Sequence, residues 1–196
     1  MIFESHITVE GVSLPRFKAM CRQADVKPVH IVSDTGSGVE QLMSAHFHHV
    51  RSFPQAYAEM EDLCRTFHPA VVRSKLEYIP RPKDVDPPTI FLYEEWHFKF
   101  EVAFDYVETL RNLAASAGFK TSINAVRQPQ DSETMFVFAT TRSRESSESF
   151  RDSLFGVETL YWKPINSIHE CVVYDSNPGV DRYWFCDCPL KSTDRI

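Results

Sequence analysis

Apolar and polar residues alternate along Glu4-Ser5-His6-Ile7-Thr8-Val9-Glu10 and again along Glu95-Trp96-His97-Phe98-Lys99-Phe100-Glu101, 91 positions later. Both stretches read E-x-H-φ-x-φ-E. A period of two marks a strand with two unlike faces. Ile7 and Val9 share one face, as do Phe98 and Phe100. The opposite faces carry Glu4, His6, Thr8 and Glu10, and Glu95, His97, Lys99 and Glu101.

Between these copies the period switches. Residues 2–10 predict a strand. Residues 14–24 predict a helix behind Ser13, with Leu14, Phe17, Met20, Cys21 and Ala24 on one side. Strands follow over 26–32 and 42–50, the latter carrying His46, His48 and His49. A second helix has the stripe Phe53, Ala56, Met60, Leu63, Cys64 and Phe67, and residues 71–79 form a strand. Pro80 to Pro88 holds four prolines and reads as a stiff linker. The second part repeats the order: a strand over 92–102, a helix from Asp105 to Ala117 stopped by Gly118, strands over 120–127 and 134–141, a polar helix over 146–155 and a strand over 165–174.

This order predicts an α+β protein, a tandem duplication of a ferredoxin-like β-α-β-β-α-β unit with antiparallel sheets. The expected domains are 1–80, a linker over 81–90, and 91–196. Helices would cover one face of each sheet, and a cleft would form between the two open faces.

Composition narrows the function. A hydrophobic fraction of 43% supports a packed core, and a net charge of −6 opposes general nucleic-acid binding. The five cysteines show no CxxC spacing, and no apolar run suits a membrane span or a secretory leader. A cytoplasmic protein with reduced thiols is expected. There is no GxGxxG, Walker lysine motif or G-x-S-x-G. Cys171 and His169 share a strand face and form one candidate nucleophile pair.

The polar strand faces hold the main candidates. His6 and His97 are expected as general base and acid. Thr8, Lys99, Arg73 and Lys75 would hold an anion, while Glu4, Glu77 and Glu95 would orient the imidazoles. His46 and His48 would add to the same face. The expected partner is a small phosphate-bearing or nucleotide-like anion, bound and hydrolysed without metal or cofactor. A non-catalytic module for a small ligand or a protein is the alternative.

His6-Ile7-Thr8-Val9 resembles the H-φ-[ST]-φ motif of the two-histidine phosphoesterases, while His97-Phe98-Lys99-Phe100 departs from it at Lys99. The resemblance implies paired histidines around a phosphodiester. The same first strand also resembles a vicinal-oxygen-chelate module, which would cast His6, Glu77, His97 and Glu170 as ligands of a divalent metal. Phe3-Glu-Ser-His6, Arg73-x-Lys-x-Glu77, Glu95-x-His97-x-Lys99 and Val173-Tyr-Asp-Ser-Asn177, with Asp181 and Trp184, resemble a group of uncharacterised tandem-domain proteins, which implies no activity.

Overall fold

The computed structural model describes residues 1–33, 40–125, 133–143 and 164–181. The helix expected over 146–155 and Trp184 lie outside the described residues. Among the described residues there are eight strands: β1 (Ile2–Val9), β2 (Lys27–Ser33), β3 (Glu40–His49), β4 (Val71–Ile79), β5 (Tyr93–Ala103), β6 (Lys120–Asn124), β7 (Thr134–Ser143) and β8 (Asn166–Asp175). The described helices are α1 (Leu14–Gln23), α2 (Phe53–Phe67) and α3 (Val107–Ser116). None of these is long and apolar enough to cross a membrane.

The strands close into one antiparallel barrel in the order β1-β3-β2-β6-β7-β5-β8-β4. This corrects the tandem ferredoxin-like α+β expectation. The described residues are built mainly of sheet, and among them no pair of separate sheets faces across a cleft. The physical reason lies at the edges. An open four-strand sheet leaves two edge strands with unpaired backbone groups, and closure removes them. At one seam β2 pairs with β6 through Ile31↔Asn124, Val32↔Ile123 and Ser33↔Ser122. The Asn124 side-chain oxygen accepts the His30 N–H at 3.2 Å. At the other, β4 pairs with β8 from Lys75↔Asp175 to Tyr78↔Cys171, with a register shift after Leu76.

On β1, β4, β5 and β7 the apolar parity points outward, beneath helices. Ile7 and Val9 pack with Phe17, Cys21, Val26 and Phe67 under α1 and the end of α2. Phe3, Leu76 and Tyr78 pack with Ala56 and Met60 of α2. Phe100, Val102, Val137 and Ala139 pack with Val107, Leu110 and Ala114 of α3. Helix ends follow local chemistry. The Ser52 side chain accepts from the Gln55 N–H at the start of α2, and Gly118, at φ +81°, leaves α3 in the left-handed conformation that glycine tolerates. Asp105 sits inside a 3₁₀ turn over Phe104–Tyr106 rather than capping α3.

On these strands the polar parity therefore points inward, while β2 and β3 turn Val29, Ile31 and Met43 into the lumen. Two residues apart on a strand means the same face, so each outward hydrophobic pair sets an inward polar one. The site is the barrel lumen.

Candidate functional site

Four adjacent strands supply the centre. β1 brings Glu4 and His6, β4 brings Arg73, Lys75 and Glu77, β5 brings Glu95 and His97, and β8 brings Glu170. Register aligns them: His6 stands opposite Lys75, Glu4 opposite Glu77, and Glu95 opposite Glu170. The lumen holds a cavity of about 170 Å³. Its polar wall includes Glu4, His6, Arg73, Lys75, Glu95 and His97, with Thr140, Arg142 and Glu170. Its apolar wall includes Val29, Ile31, Met43, Phe138 and Ile168.

The charged groups form one connected network. Lys75 Nζ lies 2.5 Å from Glu77 Oε1 and 3.1 Å from Glu95 Oε2. Arg142 Nε lies 2.6 Å from Glu95 Oε1. His6 Nε2 is 2.8 Å from Glu77 Oε2 and 4.0 Å from Glu4 Oε1. His97 Nε2 stands 3.0 Å from Glu95 Oε2 and 3.1 Å from Glu170 Oε2, and its Nδ1 meets Thr140 Oγ1 at 2.9 Å. Arg73 makes a two-pronged pair with Asp175 at 2.9 and 2.6 Å. The Tyr93 hydroxyl donates to the same carboxylate at 2.9 Å.

Burial and charge pull against each other here. Burial pushes the Glu95 carboxyl upward, but Arg142 and Lys75 outweigh it and hold it well below the usual carboxylate range. Glu77 is likewise lowered, with Lys75 and His6 overcoming burial. Glu170 is raised, by burial and by the nearby Glu77 charge. Glu4 is pushed up to about 7, chiefly by burial. His97 goes up to about 10: burial opposes its charge, but Glu170 and Glu95 win.

The expected site residues divide. Glu4, His6, Arg73, Lys75, Glu95 and His97 line the cavity, and Glu77 lies fully buried behind His6 and Lys75. Thr8 is buried outside the cavity lining. Lys99 places its ammonium over the Phe136 ring, 3.4 Å from the centroid, away from the lumen centre. His46 and His48 face outward, where their rings pack edge to face. Cys171 Sγ lies 4.0 Å from His169 Nε2, but that nitrogen is 3.0 Å from Glu94, and burial pushes the thiol up to about 12. A nucleophilic cysteine needs the opposite shift.

Arg142, Thr140, Tyr93 and Asp175 received no specific role in the sequence, and Arg73, expected on the anion, pairs with Asp175. Arg142 and Thr140 share the inward parity of β7, but β7 pairs with β5 only across a chain separation that no local pattern reveals. Asp175 ends β8, where a turn signal hid its partnership.

Comparison with protein-family models finds no match, and comparison with curated proteins finds none. Among solved structures, the chain is similar to a protein provisionally assigned as a chlorite dismutase, at 11% identity and TM-score 0.29, covering 93% of this chain and 99% of that one. A heme-binding protein from Thermus thermophilus is similar at 9% identity and TM-score 0.28, covering 88% and 91%. Likeness at this level assigns neither fold nor function.

Proposed function

We propose that the barrel lumen binds a small polar molecule with an anionic group, and that His6 exchanges a proton with it. One observation carries the reading: the histidines of the two related strands line a single cavity together with Lys75, Arg73 and Arg142. A volume of about 170 Å³ is below the roughly 300 Å³ at which pockets for drug-sized ligands begin. The ligand is therefore a molecule of few heavy atoms.

The two imidazoles do not play matching parts. His97 has both ring nitrogens engaged, by Thr140 on one side and two carboxylates on the other. His6 commits only Nε2, to Glu77, and its buried Nδ1 has no hydrogen-bond partner among the described residues. A ligand atom at Nδ1 would satisfy that nitrogen. Phosphodiester cleavage by two exchanging histidines has no support in this arrangement.

The test is a titration of the protein with orthophosphate and small mono- and dicarboxylates, followed by side-chain NMR. Saturable shifts at His6, His97, Phe138 and Ile168 are expected, and Ala45→Trp, which fills the lumen from β3, should remove them. Shifts that survive Ala45→Trp, or no response at these residues, would overturn the reading. Turnover of the bound anion, lost in His6→Ala, separates an enzyme from a binding module.

A further inference from the structure

We infer that the lumen also holds one divalent transition-metal ion, bound by Glu77, Glu95, His97 and Glu170. This deepens the proposal above, because it places a further positive charge beside the anion. Four carboxylates, Glu4, Glu77, Glu95 and Glu170, share the lumen with Lys27, Lys75, Arg142 and the two imidazoles, while the Arg73 guanidinium is matched by Asp175. Lys75, Arg142 and Arg73 already sit on protein carboxylates, so a metal ion would add charge that these pairs do not spare.

Geometry favours a metal. One ligand atom from each of the four residues lies within 4.8 Å of all the others. Opposed ligands on one ion stand about 4.4 Å apart, twice a bond of about 2.2 Å. A contraction of a few tenths of an ångström closes the shell. All four project from the neighbouring strands β4, β8 and β5, so a rigid ladder sets their spacing.

The surrounding groups match what metal ligands need. Thr140 Oγ1 can accept from His97 Nδ1–H, so a metal that displaced the Nε2 proton now facing Glu95 and Glu170 would meet that nitrogen's lone pair. His6 Nε2 holds Glu77 Oε2 from behind. One nitrogen and three carboxylates suit Mn²⁺, Fe²⁺ or Zn²⁺, and among the described residues no thiol lines the lumen, Cys21 and Cys171 being packed in the helix-covered layers.

Glu4 is an independent sign that the cavity suits a bound group. It is 6% exposed, lines the same cavity and has no hydrogen bond among the described residues. Its ion pair with His6 Nε2 is long, at 4.0 Å, and that nitrogen is committed to Glu77 at 2.8 Å. A buried carboxylate without a donor is costly. A metal-bound water between Glu4 and the four ligands would supply one.

The experiment starts from chelator-treated protein and adds Mn²⁺. One tight site per chain is expected by electron paramagnetic resonance. Bound Mn²⁺ should broaden the NMR signals of His97, His6 and Ile168 at the lowest metal content and those of the outward His48 less. Glu170→Gln and Glu95→Gln should each weaken Mn²⁺ binding at least tenfold, whereas Glu59→Gln on α2 should not change it. Broadening centred on surface histidines, or no stoichiometric binding to the folded wild type, would overturn the inference, and the wild-type measurement decides this even if a variant misfolds. Orthophosphate titrated with and without the metal keeps the two proposals apart. Binding that is equal in chelator, with no Mn²⁺ site, sinks only the metal. A single Mn²⁺ site with no orthophosphate or carboxylate response sinks only the ligand.

Discussion

At the scale of residues, the lumen stores unfavourable charge, and its cost depends on pH. Glu4 binds its proton more tightly in the folded state, with a value near 7 against 4.5 for the free side chain. The stability it contributes is complete below pH 4.5 and is lost as pH rises through 7. Glu4→Gln keeps the neutral form at all pH values. In chelator, it is expected to be more stable than wild type above pH 7, by up to about 3 kcal/mol, with the gap closing below pH 4.5. Urea unfolding across that range reads the difference, and a constant gap would disprove the burial cost. Lys75 is the converse case. It joins Glu77 and Glu95 at 2.5 and 3.1 Å, and its removal strands two buried carboxylates. Lys75→Met should cost about 3–5 kcal/mol, measured by the same unfolding curves. An effect below about 1 kcal/mol, the range of an exposed pair, would mean that water enters the lumen freely. The inward parity of Glu4, His6, Arg73, Lys75, Glu95 and His97 was legible in the alternation of their strands, because side-chain direction follows period two without any knowledge of tertiary structure. Lys99 obeyed the same parity and still missed the cavity, because depth along the barrel depends on register between strands.

At the scale of elements, each strand is asked to serve two layers, one under helices and one around the lumen. β1 shows the division: Phe3, Ile7 and Val9 pack outward against α1 and α2, while Glu4 and His6 point in. Between them Ser5, also outward, anchors a polar bolt to α2. Its hydroxyl meets His48 Nε2 at 2.8 Å, and His48 Nδ1 meets Glu59 Oε2 at 2.9 Å. The order Ser-His-Glu looks catalytic, yet Ser5 is 1% exposed and no substrate reaches it. The bolt is structural. His48→Ala leaves the Ser5 hydroxyl buried without its partner and should cost about 1–3 kcal/mol. Glu59 is half exposed and water can replace its bond, so Glu59→Gln should cost under about 1 kcal/mol. Thermal unfolding of both variants checks the order, and equal losses would contradict it. Strand and helix positions were readable because three amphipathic stripes and eight alternating runs carry their own period. His46 and His48 were misplaced toward the lumen because a strand rich in polar residues on both faces does not say which one is inside.

At the scale of the whole molecule, closure was hidden because it depends on bonds between strands far apart in sequence. Ile31 meets Asn124, and Lys75 meets Asp175, with nothing local to announce either pair. What the sequence did contain was the polar strand face, which makes sense only inside a closed wall. Two consequences of closure can be tested together. Residues 1–80 contain β1 to β4, and the expectation from the chain's repeated order was a domain of its own. In the barrel, however, β2 and β4 are each sealed by a strand from the second part. Cut there, both become open edges, which favour association with other chains. Lys75 also loses Glu95, and Arg73 loses Tyr93 and Asp175. A fragment of residues 1–80 is therefore expected to aggregate or to give a collapsed amide spectrum. Mixing it with residues 81–196 should restore dispersed signals and a single species of full mass, because the two seams can form between chains as within one. A monomeric fragment with a dispersed spectrum on its own would show that the edges tolerate water. The lumen would then be an interface between two self-sufficient sheets rather than the interior on which both depend.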